Sequence, residues 1–87
     1  MAFFSARKFG LLLAATGAAH FAAPQAFEQI TKVAFPEDTD QWIKRNGATE
    51  IAIGTALIIK PTRKLGLLGL LGYGGWLGWS AVNAAEE

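Results

Sequence analysis

Two ionisable side chains stand out because they lie inside otherwise apolar stretches of the sequence. His20 falls in an uncharged run that follows Arg7 and Lys8, and Glu50 falls in a second apolar stretch. If both stretches form helices in lipid, the two side chains lie at nearly the same depth, about 14–16 Å from the helix ends at 1.5 Å per residue. Intramembrane ionisable groups usually face a bundle interior and pair with one another. The spacing therefore predicts a polar intramembrane pair, His20 and Glu50.

Three interpretations of this pair stay open. It is a structural clasp that fixes helix register, or a site that handles a proton or a ligand, or His20 contacts haem with a second axial ligand from another chain. The sequence contains no four-ligand metal set, so we expect no metal site and no resident cofactor beyond a haem or quinone contact. The predicted outer loop lacks histidine, cysteine and serine, so we expect no catalytic residues and no enzyme.

The composition favours lipid as the solvent of this chain. Of its 87 residues, 52% are hydrophobic and 17% are charged, and there is no cysteine. A soluble domain usually has about 25% charged residues. The net charge of +1 provides no basic field, and no Lys/Arg run is interleaved with aromatic residues, so nucleic-acid binding is not expected.

The hydropathy pattern predicts an all-α polytopic membrane bundle, with three transmembrane helices and a short interfacial amphipathic helix. Residues 1–87 would form a single membrane domain. The predicted segments are a transmembrane helix at about 9–26, an interfacial helix and outer loop at about 27–39, and transmembrane helices at about 40–60 and 65–83. The last is the clearest, because 65–82 has no charge over 18 residues. The alternative for the first segment is a cleaved signal peptide.

The distribution of lysine and arginine predicts the orientation. Arg7 and Lys8 would lie on the same side of the membrane as the basic turn 60–64. This predicts a protein of the cell membrane (the inner membrane) with its N-terminus in the cytoplasm and its C-terminus outside. The acidic tail, Glu86 and Glu87, would be outside. Trp42 and Trp79 would be anchors at the outer interface, where indole rings are favoured.

Small residues predict where the helices pack. Glycine recurs every three residues in the third predicted span, and small residues let helix backbones approach closely in lipid. The predicted packing face comprises Gly66, Gly69, Gly72, Gly74, Gly75 and Gly78, with Ala14, Ala18 and Ala22 on the first helix. Tyr73 and Trp76 would fill space opposite the glycines, or line a pocket for a flat apolar ligand such as a quinone.

Three motifs in this order resemble the DoxX-like membrane proteins. They are Gly17-Ala18-Ala19-His20-Phe21, the stretch 47–54 with its G-x-x-E-x-x-x-G pattern, and the proline-basic turn within 57–65. The resemblance covers about residues 9–75. It implies a helical membrane protein, loosely linked to redox physiology, with His20 and Glu50 as its polar centre. Members of that family generally have four helices, so a chain of three would lack whatever the fourth helix builds.

These observations lead to two hypotheses about function. In the first, the protein is a non-enzymatic small integral membrane subunit that packs on a larger membrane complex, such as a respiratory or energy-transducing one. Its partners would be the lipid bilayer and other membrane-protein subunits. In the alternative, it is a free-standing DoxX-like protein that handles a quinone or another small redox ligand around the residues His20, Glu50, Tyr73 and Trp76.

Overall fold

The computed structural model describes residues 5–86, so Glu87, the end of the predicted acidic tail, lies outside the described residues. This part of the chain is helical almost throughout. Its four α-helices are α1 (Ala6–Ala22), α2 (Glu28–Ala34), α3 (Thr39–Ile58) and α4 (Arg63–Glu86). Two short 3-10 turns, Pro24–Phe27 and Lys60–Thr62, lead into α2 and α4.

The two proline-containing turns end α1 and α3 at defined positions. Proline has no backbone N–H and clashes with the preceding helical turn, so α1 stops at Ala22 instead of continuing through Pro24 with a kink. At the second turn, side chains satisfy carbonyl groups that the end of α3 leaves without a helical partner. The Thr62 hydroxyl donates to the Ala56 carbonyl oxygen at 2.8 Å, and Arg63 Nε donates to that of Leu57 at 3.0 Å.

The closest packing in the molecule is the antiparallel contact of α1 with α3. Gly10 faces Gly54, and Gly17 faces Gly47, so each helix contributes two glycines seven residues apart. Seven residues are nearly two helical turns, which places both glycines of a helix on one face. A Cβ atom on Gly17 would lie 2.5 Å from the Gly47 carbonyl oxygen. The two backbones therefore touch because no side chain separates them.

The other two helices cover one side of this pair. α4 runs antiparallel to α3, and its Gly66 lies against Leu57 while Gly69 lies against Ile53. α2 packs against both α3 and α4. The buried apolar side chains of the described residues all come from α3 and the loop before it. They are Phe35, Ile43, Ile53 and Leu57.

The prediction of a three-span, multi-pass membrane bundle is wrong. Among residues 5–86, only the run Lys60–Glu86 is long and apolar enough to cross a membrane. α1 has 17 residues and is about 26 Å long, which is short for the roughly 30 Å hydrocarbon core. α3 has 20 residues, but its first half carries charged and polar side chains. The architecture is all-α, as expected, with four helices in a molecule of 40 × 26 × 21 Å.

The predicted orientation loses its basis together with the three crossings. The predicted segment boundaries also move, because α1 ends four residues before position 26. The segment 27–39, predicted as a short interfacial helix and an outer loop, contains the seven-residue helix α2 and the loop that follows it. Inside α2 the buried residue is Thr31, whereas Ile30 and Val33 are exposed. The burial of α2 is therefore set by its contact with α3 and α4 and not by its apolar residues.

We predict that alanine at Gly17 destabilises the fold, because the added methyl group meets the backbone of α3. Overpacking of this kind typically costs about 1–3 kcal/mol. Gly72 is the matched control, since a Cβ there meets nothing within 4 Å. Gly72→Ala should gain up to about 1 kcal/mol from helix propensity alone. Unfolding monitored by circular dichroism measures both changes, and equal effects of the two substitutions would contradict the close-approach interpretation.

Candidate ligand-binding site

A partly open cavity of about 370 Å³ lies among the four helices. Its volume corresponds to about a dozen water molecules at the roughly 30 Å³ that each occupies in the liquid. Most of its wall is apolar, and its polar side chains come from all four helices. The residues that line it are Thr16, His20, Phe27, Ile30, Thr31, Val33, Ala34, Asn46, Glu50, Tyr73, Leu77 and Ala81.

His20 is held in place by its own helix and by the turn that follows. Its ring nitrogen Nδ1 lies 2.7 Å from the Thr16 carbonyl oxygen, one turn earlier in α1. Because a carbonyl oxygen only accepts, Nδ1 carries the proton and donates it there. The Phe27 ring stacks on the imidazole, with centroids 3.8 Å apart and planes 18° from parallel. In a neutral imidazole these contacts leave Nε2 as an acceptor.

Glu50 connects α3 to both neighbouring helices. Its Oε2 accepts a hydrogen bond of 2.7 Å from the Tyr73 hydroxyl of α4, the length typical of a charge-assisted bond. The same oxygen lies 3.8 Å from His20 Nε2, which is too long for a hydrogen bond but is within ion-pair distance when the imidazole is protonated. The structure thus brings His20 and Glu50 together and adds Tyr73 to them.

Three polar groups of the cavity wall have unused hydrogen-bonding capacity. Asn46 and Thr31 are each 6% exposed, and within residues 5–86 neither side chain has a hydrogen-bond partner. Oε1 of Glu50 likewise accepts no hydrogen bond from the described part of the chain. None of these atoms is completely sealed from the cavity. Water or a ligand in the cavity can therefore supply the hydrogen bonds that the described chain does not.

The electrostatic environment keeps Tyr73 protonated. Burial in the protein raises the pKa of its phenol, and the hydrogen bond to Glu50 and the negative charge of that carboxylate raise the pKa further, well above the ordinary value of 10.0. At physiological pH, Tyr73 is therefore a hydrogen-bond donor, and its donor is already committed to Glu50.

The glycines and alanines of the predicted packing face divide into two groups. Gly66 and Gly69 lie against α3, and Ala14 lies against Gly54. The other members of the predicted face have no such contact. A Cβ at Gly72, Gly74, Gly75 or Gly78 would meet nothing within 4 Å, and Ala18 and Ala22 are exposed.

The tryptophans take up positions away from the cavity. Trp42 stacks on Phe35 with centroids 4.5 Å apart, and Trp76 lies 5.1 Å from Phe35 and 5.3 Å from Trp42. Arg45 lies 4.9 Å above the Trp42 ring. Trp76 therefore belongs to an aromatic cluster and does not line the cavity with Tyr73. Trp79, the second predicted anchor, is 64% exposed on α4.

Sequence reasoning missed Asn46, Thr31 and the glycines that pack α1 on α3. Two signals could have revealed them. Asn46 precedes Glu50 by four residues, so the two must share a face of α3. The seven-residue spacing of glycine in α1 matches the seven-residue spacing in α3. No comparable signal exists for Thr31, because only the packing of α2 decides which of its residues faces inward.

The chain belongs to the family whose model is described as a domain of unknown function, DUF8561, and which matches residues 9–73. The matched region contains His20, Thr31, Asn46, Glu50 and Tyr73, the polar residues considered above. No curated protein and no solved structure matches the chain. The resemblance to the DoxX-like proteins is not tested by this match and stays a prediction. Among residues 5–86, no three or more His, Cys, Asp and Glu side chains are grouped to hold a metal ion.

The titration of Tyr73 offers a direct test of the site geometry, because the chain has a single tyrosine. In denaturant, its near-ultraviolet tyrosinate absorbance should develop near pH 10.0, and in the native protein only at distinctly higher pH. Since the folded pKa is raised, this contribution to stability is complete below pH 10.0 and is lost as the pH rises further.

Glu50→Gln should lower the native pKa of Tyr73 but leave it above the ordinary value, because burial is the largest cause of the shift. Glu28→Gln, a change of the same chemistry on a half-exposed residue outside the cavity, should have no effect. A native tyrosine that titrates as it does in denaturant would show that the Tyr73–Glu50 contact is absent.

Proposed function

We propose that this protein is a non-enzymatic binding protein that takes a small, largely apolar ligand into the cavity among its four helices. The observation that carries the proposal is the combination of an apolar wall with polar groups that lack protein partners. Ligand sites are typically concave, mostly apolar and provided with a few placed polar groups. The volume of about 370 Å³ falls within the usual range of such sites, about 300–1,000 Å³.

The unpaired polar groups support a binding role over a purely structural clasp. Their atoms remain accessible from the cavity, so a ligand can take the place of water as their hydrogen-bond partner. A clasp would need only the predicted pair His20 and Glu50, with Tyr73 bonded to Oε2 of Glu50. Asn46 and Thr31 add nothing to that pair, but they gain hydrogen bonds when a ligand with a polar end enters. Of the redox ligands that the alternative sequence hypothesis supposes, a quinone in its reduced, hydroxyl-bearing form is one candidate.

We predict that filling the cavity abolishes binding. Ala81 lines the cavity and Ala85, one helical turn later on α4, is exposed and does not. Ala81→Leu should therefore remove the binding of small apolar aromatic probes, measured by calorimetry, whereas Ala85→Leu should bind them as the parent protein does. Equal binding by both variants would show that the cavity is not where the probes bind.

A second role is favoured by the surface of α4. Only Gly66 and Ser80 of its 24 residues are buried, although the helix has no charge between Lys64 and Glu86. A helix that is apolar on all sides is normally covered by protein or lipid. We propose that this helix attaches the protein to a lipid bilayer. Its exposed large apolar residues are Leu65, Leu67, Leu68, Leu71, Trp76, Trp79 and Val82.

The distribution of charge supports the same attachment. The start of α4 is flanked by Lys60, Arg63 and Lys64, and the antiparallel packing brings Arg7 and Lys8 of α1 to the same end of the molecule. Away from that end, acidic residues are mixed with basic ones: Glu28, Glu37, Asp38 and Asp40 lie in or beside α2 and the start of α3, together with Lys32, Lys44 and Arg45. Clustered basic residues beside an apolar surface favour contact with anionic headgroups. The accessory-subunit hypothesis requires the same face to contact another membrane protein, and co-purification from native membranes tests it.

We predict that the protein floats with vesicles of phosphatidylcholine and phosphatidylglycerol in a density gradient. Leu71→Lys should reduce the floating fraction strongly, because Leu71 is 74% exposed and a lysine in hydrocarbon is costly. Gln41→Lys adds the same charge at the polar start of α3 and should leave flotation unchanged. If the parent protein stays at the bottom of the gradient, α4 does not attach it to lipid.

A further inference from the structure

Two unused polar atoms of the cavity wall, one on Glu50 and one on His20, can only accept hydrogen bonds when the imidazole is neutral. Glu50 Oε1 is an acceptor with no partner in the described chain, and Oε2 is already bonded to Tyr73. Nε2 of His20 is also an acceptor in a neutral ring, because the Thr16 carbonyl oxygen engages the proton on Nδ1. The Tyr73 hydroxyl is used by Glu50, whereas Asn46 and Thr31 keep both donors and acceptors. Glu50 and His20 both line the cavity, and neither Oε1 nor Nε2 has a hydrogen-bond donor from the described part of the chain.

This arrangement determines what the ligand must supply, provided that the cavity binds a ligand as proposed above. We propose that the ligand carries a hydrogen-bond-donating head group, an N–H or an O–H, which bonds Glu50 Oε1 and His20 Nε2. The donor end would lie deep in the cavity, with its apolar body against the wall. Asn46 and Thr31 each both donate and accept, so they complete the shell around that head group.

The wall of the cavity selects the rest of the molecule. Phe27 stacks on His20 and gives the wall a flat surface. Aliphatic side chains of α2 and α4 line the same cavity. An amphipathic molecule with a short apolar or single-ring body fits this wall. Hydroquinones belong to the inferred class because they carry O–H groups. Quinones, whose carbonyl oxygens only accept, do not.

Protonation of His20 would change the site, but the ligand would still have to supply a hydrogen-bond donor. The imidazolium would pair with Oε2 of Glu50 at the observed 3.8 Å, and Oε1 would still need a donor. Besides Glu50, the groups that face the ring from neighbouring elements are Phe27, which does not titrate, and Tyr73, whose proton is held by Glu50. The head-group requirement therefore rests on the free carboxylate oxygen.

The test compares three molecules with one apolar body: phenylbutanol, phenylbutylamine and the methyl ether of phenylbutanol. Each is titrated calorimetrically into the purified full-length protein. The alcohol and the amine should bind at least about tenfold more tightly than the ether, because a hydrogen bond to a charged acceptor is among the stronger ones. Comparison of the alcohol with the amine shows whether hydrogen bonding alone is sufficient or whether positive charge adds to it.

Variants locate the effect in the protein. Glu50→Gln keeps the shape of the side chain but removes its charge and one acceptor oxygen. The variant should therefore bind the amine about tenfold more weakly and bind the ether as the parent protein does. Unchanged ether binding also shows that the variant retains its fold. Thr31→Val should reduce the affinity for the alcohol by a smaller factor. Glu28→Gln and Thr49→Val, changes of the same chemistry outside the cavity, should behave as the parent protein does.

The outcomes separate the two proposals. If all three molecules bind equally, the donor requirement is wrong, although the cavity still binds ligands. If the ether binds more tightly than the alcohol, the acceptor interpretation of Glu50 and His20 is overturned as well. If none of the three binds, the ligand-binding function itself fails, and the donor inference fails with it.

Discussion

The direct backbone contact between α1 and α3 is the constraint on which the rest of the molecule depends. Glycines at Gly17 and Gly47 remove the side chains that would hold the two helices apart, and a Cβ on Gly47 would lie 2.6 Å from the Cβ of His20. Because the helices touch there, His20 lies within 3.8 Å of Glu50, one turn further along α3. A wider separation, as side chains of ordinary size would impose, would place the imidazole and the carboxylate too far apart to share one site.

Within residues 5–86 the protein buries more polar side chains than large apolar ones. Four apolar residues are buried within residues 5–86, against the five polar residues His20, Thr31, Asn46, Glu50 and Ser80. A chain of 87 residues has little surplus stability, and polar groups in its interior take the place of apolar contacts that would add to it. Four of the five polar residues, His20, Thr31, Asn46 and Glu50, line one cavity, and their unpaired atoms are accessible from it. This placement is better explained by a ligand than by a need for stability. Natural proteins often depart from the rules of good packing at functional sites.

The outer surface of α4 is apolar and exposed along most of its length. On a helix that faces water, apolar residues occupy one stripe and polar residues the rest. α4 has no such division, and most of its apolar side chains are exposed although they recur along its whole length. The cavity and this surface lie on opposite sides of the same helix, because Tyr73, Leu77 and Ala81 face inward. One element can therefore serve ligand binding on its inner face and attachment on its outer face.

The sequence by itself determined that the chain is helical, that the proline-basic turn 60–64 interrupts it, and that His20 and Glu50 are unusual for their surroundings. These features are local, because they follow from composition, helix periodicity and the absence of an N–H on proline. Only the structure decided that, among residues 5–86, a single helix qualifies as a membrane span, since helix lengths depend on where each helix actually ends. It also decided that Tyr73 bonds Glu50 and that Thr31 turns inward. Those contacts join residues distant in sequence, and no local pattern specifies how α2 and α4 pack on the α1–α3 pair.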